Sequence, residues 1–215
     1  MPSQTVAIID YGMGNLHSAA KALQHTSVNA QVVVTSDPEK ILAADHVIVP
    51  GVGAIRDCVG EIRRLELDQV ITESMKSKPV LGICIGMQTF MEHSEENDGV
   101  DCLGHFAGNV RYFGEIVDDQ GLPLKVPHMG WNNVYQREDH PLWHNIEDGS
   151  RFYFVHSYYV EAANQHEVMG TCSYGLPFDA VIFRDNIAAT QFHPEKSADA
   201  GLQLLENFLN WDGSL

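Results

Sequence analysis

The chain has 215 residues, with 29 Asp or Glu against 13 Lys or Arg and a formal net charge of −16. Such an acidic surface repels a phosphate backbone, and no Lys/Arg cluster relieves it, so nucleic acid is excluded as the expected partner. At 44% hydrophobic and 20% charged residues the composition is that of a globular protein, and no stretch approaches the roughly 18 apolar residues of a membrane span.

The N-terminus "MPSQTVAIIDYG" lacks the basic and apolar regions of a secretory leader, so a cytoplasmic protein is expected. No linker or low-complexity tract divides the chain, which predicts a single domain over residues 1–215. Up to residue 90, short β-branched runs alternate with helical patterns: "TVAIID", "NLHSAAKALQHT", "AQVVVT", "HVIVP", a helical stretch near 54–76, and "PVLGI". Continuous apolar strands between helices predict a parallel sheet covered on both faces. From about 103 to 190 the strand candidates become aromatic: "NVRYFG", "RFYFVHSYYV", "EVMGTCSYG" and "AVIFRDNIAATQFH". These predict antiparallel additions, giving an α/β fold of three layers around an open, mixed, mostly parallel sheet. The tail "SADAGLQLLENFLNW" has Leu202, Leu205, Phe208 and Leu209 at helical spacing, starting near Ser197 or Asp199.

Cys58, Cys84, Cys102 and Cys172 are irregularly spaced with no C-x-x-C pair, so reduced thiols are expected. Among eleven histidines the closest pair, His140 and His144, has Pro141 between them. That is a poor helical ligand pair, and no metal site or cofactor is expected. "YGMGNLHS" offers G-x-G, but His17 stands where a dinucleotide fingerprint needs its third glycine.

In a sheet of this class ligands bind beyond the carboxyl ends of the strands. There "LGICIGMQ" places Cys84 between Gly82 and Gly86 at a strand-to-helix turn, the cysteine form of a nucleophile elbow. The helix that follows directs its positive end at the sulfur, favouring thiolate. A buried structural cysteine is the alternative, since free Cys is among the most buried residue types. "TQFHPEKS" offers a base: Pro194 biases His193 toward an extended conformation, which would set Glu195 on the same face to orient the imidazole. "VIVPGVGAI" offers oxyanion donors, with backbone N–H groups near Val52 and Gly53 joining that of Ile85.

These residues resemble the class I glutamine amidotransferases, with a Cys-His-Glu triad in "GICIGMQ" and "HPE" and an oxyanion turn in "PGVG". The similarity covers nearly the whole chain and implies a flavodoxin-like fold. "DYGMGNLHS", "PHMGWN", "FVHSYY" and "FHPEKS" further resemble the glutaminase subunits of imidazole glycerol phosphate synthases. That resemblance implies hydrolysis of L-glutamine through a Cys84 thioester, with Gln88, His156, Ser157 and Tyr158 binding the substrate. It also implies a heterodimer with a (β/α)8-barrel cyclase that receives the ammonia, Asn15, Trp131, Tyr153 and Lys196 facing that partner, and a glutaminase rate that stays low until the partner is loaded. The other readings are the glutaminase of another amidotransferase, a catalytically silent regulatory scaffold, and a cysteine peptidase on the same scaffold.

Overall fold

The computed structural model describes residues 4–27 and 30–214; residues 1–3, the start of the segment inspected for a leader, residues 28 and 29, and residue 215 lie outside the described residues. In chain order the first half runs β1 (Gln4–Ile9), α1 (Leu16–Thr26), β2 (Ala30–Thr35), α2 (Pro38–Ala43), β3 (His46–Val49), α3 (Ile55–Arg64), α4 (Leu67–Ser74), β4 (Val80–Ile83) and α5 (Ile85–Thr89). The second half runs β5 (His93–Ser94), β6 (Val100–Asp101), β7 (Gly108–Tyr112), β8 (His128–Asn133), β9 (Tyr135–Gln136), β10 (Arg151–His156), β11 (Tyr158–Ala162), β12 (Val168–Ser173), β13 (Pro177–Arg184), β14 (Ile187–Thr190) and α6 (Ala198–Asn210).

The main sheet has the order β2-β1-β3-β4-β14-β13-β11-β7-β5-β6, with β12 and β9 branching from β13. The run from β2 to β14 is parallel, whereas β13, β11 and β7 continue it antiparallel. This is the expected mixed α/β architecture. The strands β3, β4 and β14 are buried along their whole length, as continuous apolar runs require. From β1 the chain steps outward to β2, then back past β1 to β3 and β4. Right-handed crossovers therefore put α1 on one face and α2, α3 and α4 on the other. The packing agrees, since α1 contacts α6 while α2 and α3 contact α4.

Three expectations change in detail. The helical stretch near 54–76 is two helices, because Glu66 takes a left-handed φ of 57° between them. "RFYFVHSYYV" is not one strand but two, β10 and β11, which leave Ser157 for different sheets: β10 pairs with β8 in a separate two-stranded ribbon, and β11 joins the main sheet. "AVIFRDNIAATQFH" is a hairpin, β13 and β14, turning at Asp185 with φ 52°. Helix α2 was not foreseen, although Asp37 caps it by accepting from the Glu39 N–H (3.1 Å) and Pro38 occupies its first turn. Ser197 does precede α6, but its hydroxyl does not cap the helix; it donates to the His193 carbonyl (2.6 Å) and accepts from the Tyr153 N–H (2.9 Å).

Candidate active site

Cys84 sits between β4 and α5 with φ 56° and ψ −111°, a backbone conformation that side chains rarely adopt. Glycines on either side make this turn possible. A Cβ on Gly86 would stand 1.9 Å from the Val49 carbonyl oxygen, and one on Gly51 would stand 2.7 Å from the Gly86 nitrogen. The elbow and the turn after β3 are thus pressed backbone against backbone. The Cys84 N–H donates to the Thr190 carbonyl (2.7 Å), which fixes the elbow to the end of β14. The turn 50–53 is itself held by two side chains: the Tyr11 hydroxyl donates to the Pro50 carbonyl, and the Cys58 thiol of α3 lies 3.5 Å from the Val52 carbonyl. A trans peptide directs its N–H opposite to its carbonyl, so the Gly53 N–H is turned away from α3.

His193 follows β14, and its Nδ1–H donates to Glu195 Oε1 (2.8 Å); both side chains are 2% exposed. His193 is extended, as expected, but Glu195 reaches it from a one-turn 3-10 helix, Pro194–Lys196, rather than across a strand face. The His193 main chain is tied down by its N–H bond to the Tyr153 carbonyl (2.9 Å). Because Nδ1 is committed to the carboxylate, Nε2 is left free, and it makes no hydrogen bond. Burial alone would lower the imidazole's pKa; Cys84 and Glu195 outweigh it and hold it at about 10.

A cavity of about 310 Å³ opens over these groups. Val52, Gly53, Cys84, Ile85, Gln88, His156, Ser157, Tyr158 and His193, separated by up to 141 positions in sequence, all line it. Glu195 stands behind His193. The carboxamide of Gln88 is fully buried, and its Nε2 donates both to the Tyr158 carbonyl (3.0 Å) and to Gln191 Oε1 (3.0 Å). Its Oε1 has no partner.

Three contributors were not found from sequence. Glu96 brings a half-buried carboxylate to the cavity wall; burial raises its pKa, and the Ile55 N–H (3.1 Å) opposes that rise. Gln191 holds Gln88. His128 holds His156: His156 Nδ1–H donates to the Tyr158 carbonyl (2.8 Å), so its Nε2 accepts from His128 Nδ1–H (2.9 Å), and His128 Nε2 faces Asn132 Nδ2 (3.3 Å). His128 is stacked between Phe154 and Tyr174, at centroid distances of 4.9 and 4.0 Å. Burial lowers the pKa of His128 to about 4 and that of His156 to about 3, so both are neutral, as this single-proton chain demands.

The residues expected at a partner surface fall in two places. Trp131 on β8 is paired in register with Tyr153 on β10, their rings 6.1 Å apart, and Lys196 Nζ lies 5.9 Å over the Tyr153 ring. Trp131 is 43% exposed, as a large apolar side chain in a monomer seldom is when it stands beside Met129 at 63%. Asn15 is apart from this group; it precedes α1 and lines a small cavity that His193 and Glu195 close from the other side.

Among the described residues no group of three His, Cys, Asp or Glu side chains could hold a metal, and His140 is buried with Nδ1 accepting from the Leu142 N–H (3.1 Å). No helix among them is long and apolar enough to cross a membrane.

Residues 7–211 match the family described as glutamine amidotransferase class-I. The chain belongs to that family. Relatives in it are similar over their full length: the imidazole glycerol phosphate synthase subunit HisH of Pseudomonas syringae pv. syringae is 58% identical across 98% of this chain and 99% of its own. The corresponding HisH 1 of Pseudomonas aeruginosa is 59% identical across 98% of each chain. Among solved structures, PurLQS from Thermotoga maritima superposes with a TM-score of 0.71 at 17% identity, covering 97% of this chain and 98% of that one. That likeness speaks for the fold alone.

Proposed function

We propose that this chain is the glutaminase subunit of an imidazole glycerol phosphate synthase, releasing ammonia from L-glutamine for histidine biosynthesis in the cytoplasm. The reading rests on full-length identity to HisH subunits, together with a nucleophile, a carboxylate-oriented imidazole and a glutamine-sized cavity meeting at one point. Cys84 Sγ attacks the side-chain carbonyl carbon of glutamine. The negative charge that develops on oxygen is taken by the Ile85 N–H and an N–H of the Val52–Gly53 turn. His193, protonated at Nε2, gives that proton to the departing nitrogen, and the C–N bond breaks to leave ammonia and a γ-glutamyl thioester. Neutral His193 then takes a proton from water as it attacks the thioester, and glutamate leaves as Cys84 is regenerated. Glu195 keeps the proton on Nδ1 and stabilises the imidazolium. Gln88 Oε1 and the Glu96 carboxylate, both acceptors on the cavity wall, suit the substrate's ammonium group, and Ser157 and Tyr158 flank its other end.

Ammonia passes to a (β/α)8-barrel cyclase subunit seated on the face that carries Trp131, Tyr153 and Lys196, while Asn15 lines the small cavity behind His193 and Glu195. Trp131 and Tyr153 belong to the β8–β10 ribbon, whose other end is His128, His156 and the cavity, so one short element touches both the docking face and the substrate site. The test is glutamate release from the chain alone, with a candidate cyclase barrel, and with that barrel loaded with its phosphorylated ribulosyl carboxamide ligand. A slow rate that rises on adding the loaded barrel is expected. A high rate indifferent to the barrel would contradict the subunit reading while leaving a glutaminase.

A further inference from the structure

Gln191 is fully buried, sits between the end of β14 and His193, and has a side chain that bridges Gln88 to the nucleophile. We infer that Gln191 is a catalytic residue: its side-chain N–H donates to Cys84 Sγ, 3.8 Å away, and stabilises the thiolate, while its carbonyl oxygen is pinned by Gln88. The inference rests on Cys84 being the nucleophile.

The orientation of this amide follows from its neighbours rather than from choice. The Tyr158 carbonyl can only accept, and Gln88 presents Nε2 to it at 3.0 Å. The same Nε2 lies 3.0 Å from the Gln191 side chain, so the atom of Gln191 that meets it is an acceptor, Oε1. Its Nε2 is thereby turned to the sulfur. The backbone locks the residue in place, with the Gln191 N–H donating to the Ala180 carbonyl (2.8 Å). A neutral donor against the buried sulfur adds to the stabilisation that the His193 imidazolium gives the thiolate, without placing a second cation on the nucleophile.

The chain of amides also connects substrate to nucleophile. Both N–H bonds of Gln88 are committed, leaving Oε1 as its free atom. A substrate ammonium donating to that oxygen polarises Gln88, strengthens its bond to Gln191 Oε1, and makes Gln191 Nε2 a better donor to sulfur. An occupied site thus holds a more stable thiolate than an empty one. A buried glutamine that merely ties β14 to α5 would make the same Gln88 contact but would not govern the sulfur's ionisation.

The pH dependence of iodoacetamide alkylation at Cys84 separates these roles, read by peptide mass on the full chain. The other thiols are buried with pKa values raised to about 11 for Cys58 and about 12 for Cys102 and Cys172, so they stay silent near neutrality. Gln191→Glu keeps the acceptor for Gln88 but turns a carboxylate toward the sulfur; Gln191→Met removes both functions at similar length. Both variants should alkylate about tenfold to a hundredfold more slowly at pH 7, with the profile moved to higher pH, the size expected for a hydrogen bond to a charged group. Glutaminase kcat should fall in both, whereas KM should rise only in Gln191→Met. Should Gln191→Glu fail to fold, Gln191→Met carries the test alone. Wild-type alkylation profiles in the folded variants overturn this inference and leave the nucleophile standing. A wild-type Cys84 that is unreactive at every pH overturns both.

Discussion

The part of the chain up to α5 and the part beyond β7 supply the site by different means. In the first part, β1 through β4, the site is shaped by backbone: Gly51 and Gly86 interlock, the strained Cys84 is set at the carboxyl end of the central strand β4, and the peptides of the 50–53 turn lie beside it. In the part beyond β7 it is shaped by side chains handing hydrogen bonds to one another, as in His193 to Glu195 and His128 to His156 to the Tyr158 carbonyl. Backbone contacts leave no room for adjustment, while a chain of polar side chains depends on every member's proton. Substitutions in the two parts should therefore fail differently, one by loss of shape and the other by loss of charge or proton order.

The largest effect should come from Cys84→Ala, which removes the covalent step. Glutamate release should fall by at least about 10⁴-fold with the melting temperature little changed. Gly86→Ala tests the backbone half most severely, because the added methyl would meet the Val49 carbonyl at 1.9 Å. Urea denaturation should show a loss of about 3 kcal/mol or more; a variant of native stability would mean the two turns are not in contact. Glu195→Gln keeps the shape of the side-chain half and removes a charge. Turnover should drop on the order of 100-fold, and the basic limb of the pH-rate profile should move down, since Glu195 helps to hold the His193 pKa up.

The legible part of this site follows the same division. Gly-Ile-Cys-Ile-Gly could be read directly, because an elbow admits few residue types at its crowded positions. His193 and Glu195 were readable from Pro194 and local spacing, though the 3-10 turn joining them was not. Gln191, His128 and Glu96 were opaque: each is a common polar residue whose role is set by partners from 28 to 103 positions away, Gln88 for Gln191, His156 for His128 and Ile55 for Glu96. The break of "RFYFVHSYYV" at Ser157 was opaque for a related reason, since an apolar alternation gives strand but not sheet membership.

A smaller effect concerns protons in the side-chain half. His128 and His156 are buried and neutral, with pKa values lowered to about 4 and about 3, whereas in the unfolded chain they titrate near 6.5. Below pH 6.5 the unfolded chain takes up protons that the folded chain refuses, so stability should decline as pH falls from 6.5 toward 4. His193, raised instead, works weakly the other way, since its unfolded counterpart takes up its proton only as pH falls through 6.5. Burial lowers His46, His105 and His140 as well and adds to the same slope, so the urea midpoint should be lower at pH 5 than at pH 7, and equal midpoints would speak against neutral buried imidazoles. The smallest effect on the isolated chain should be that of Trp131→Ala: within about 0.5 kcal/mol in stability, as for an exposed side chain, but about tenfold weaker binding of the cyclase barrel by titration calorimetry.

In the proposed function the cavity delivers L-glutamine to Cys84. Labelling with a glutamine-mimicking electrophile tests it most directly, with peptide mapping of the modified thiol. One label per chain is expected, on Cys84, suppressed by L-glutamine and absent in Cys84→Ala. Labelling spread over the other cysteines, or labelling of Cys84 that glutamine does not slow, would contradict it.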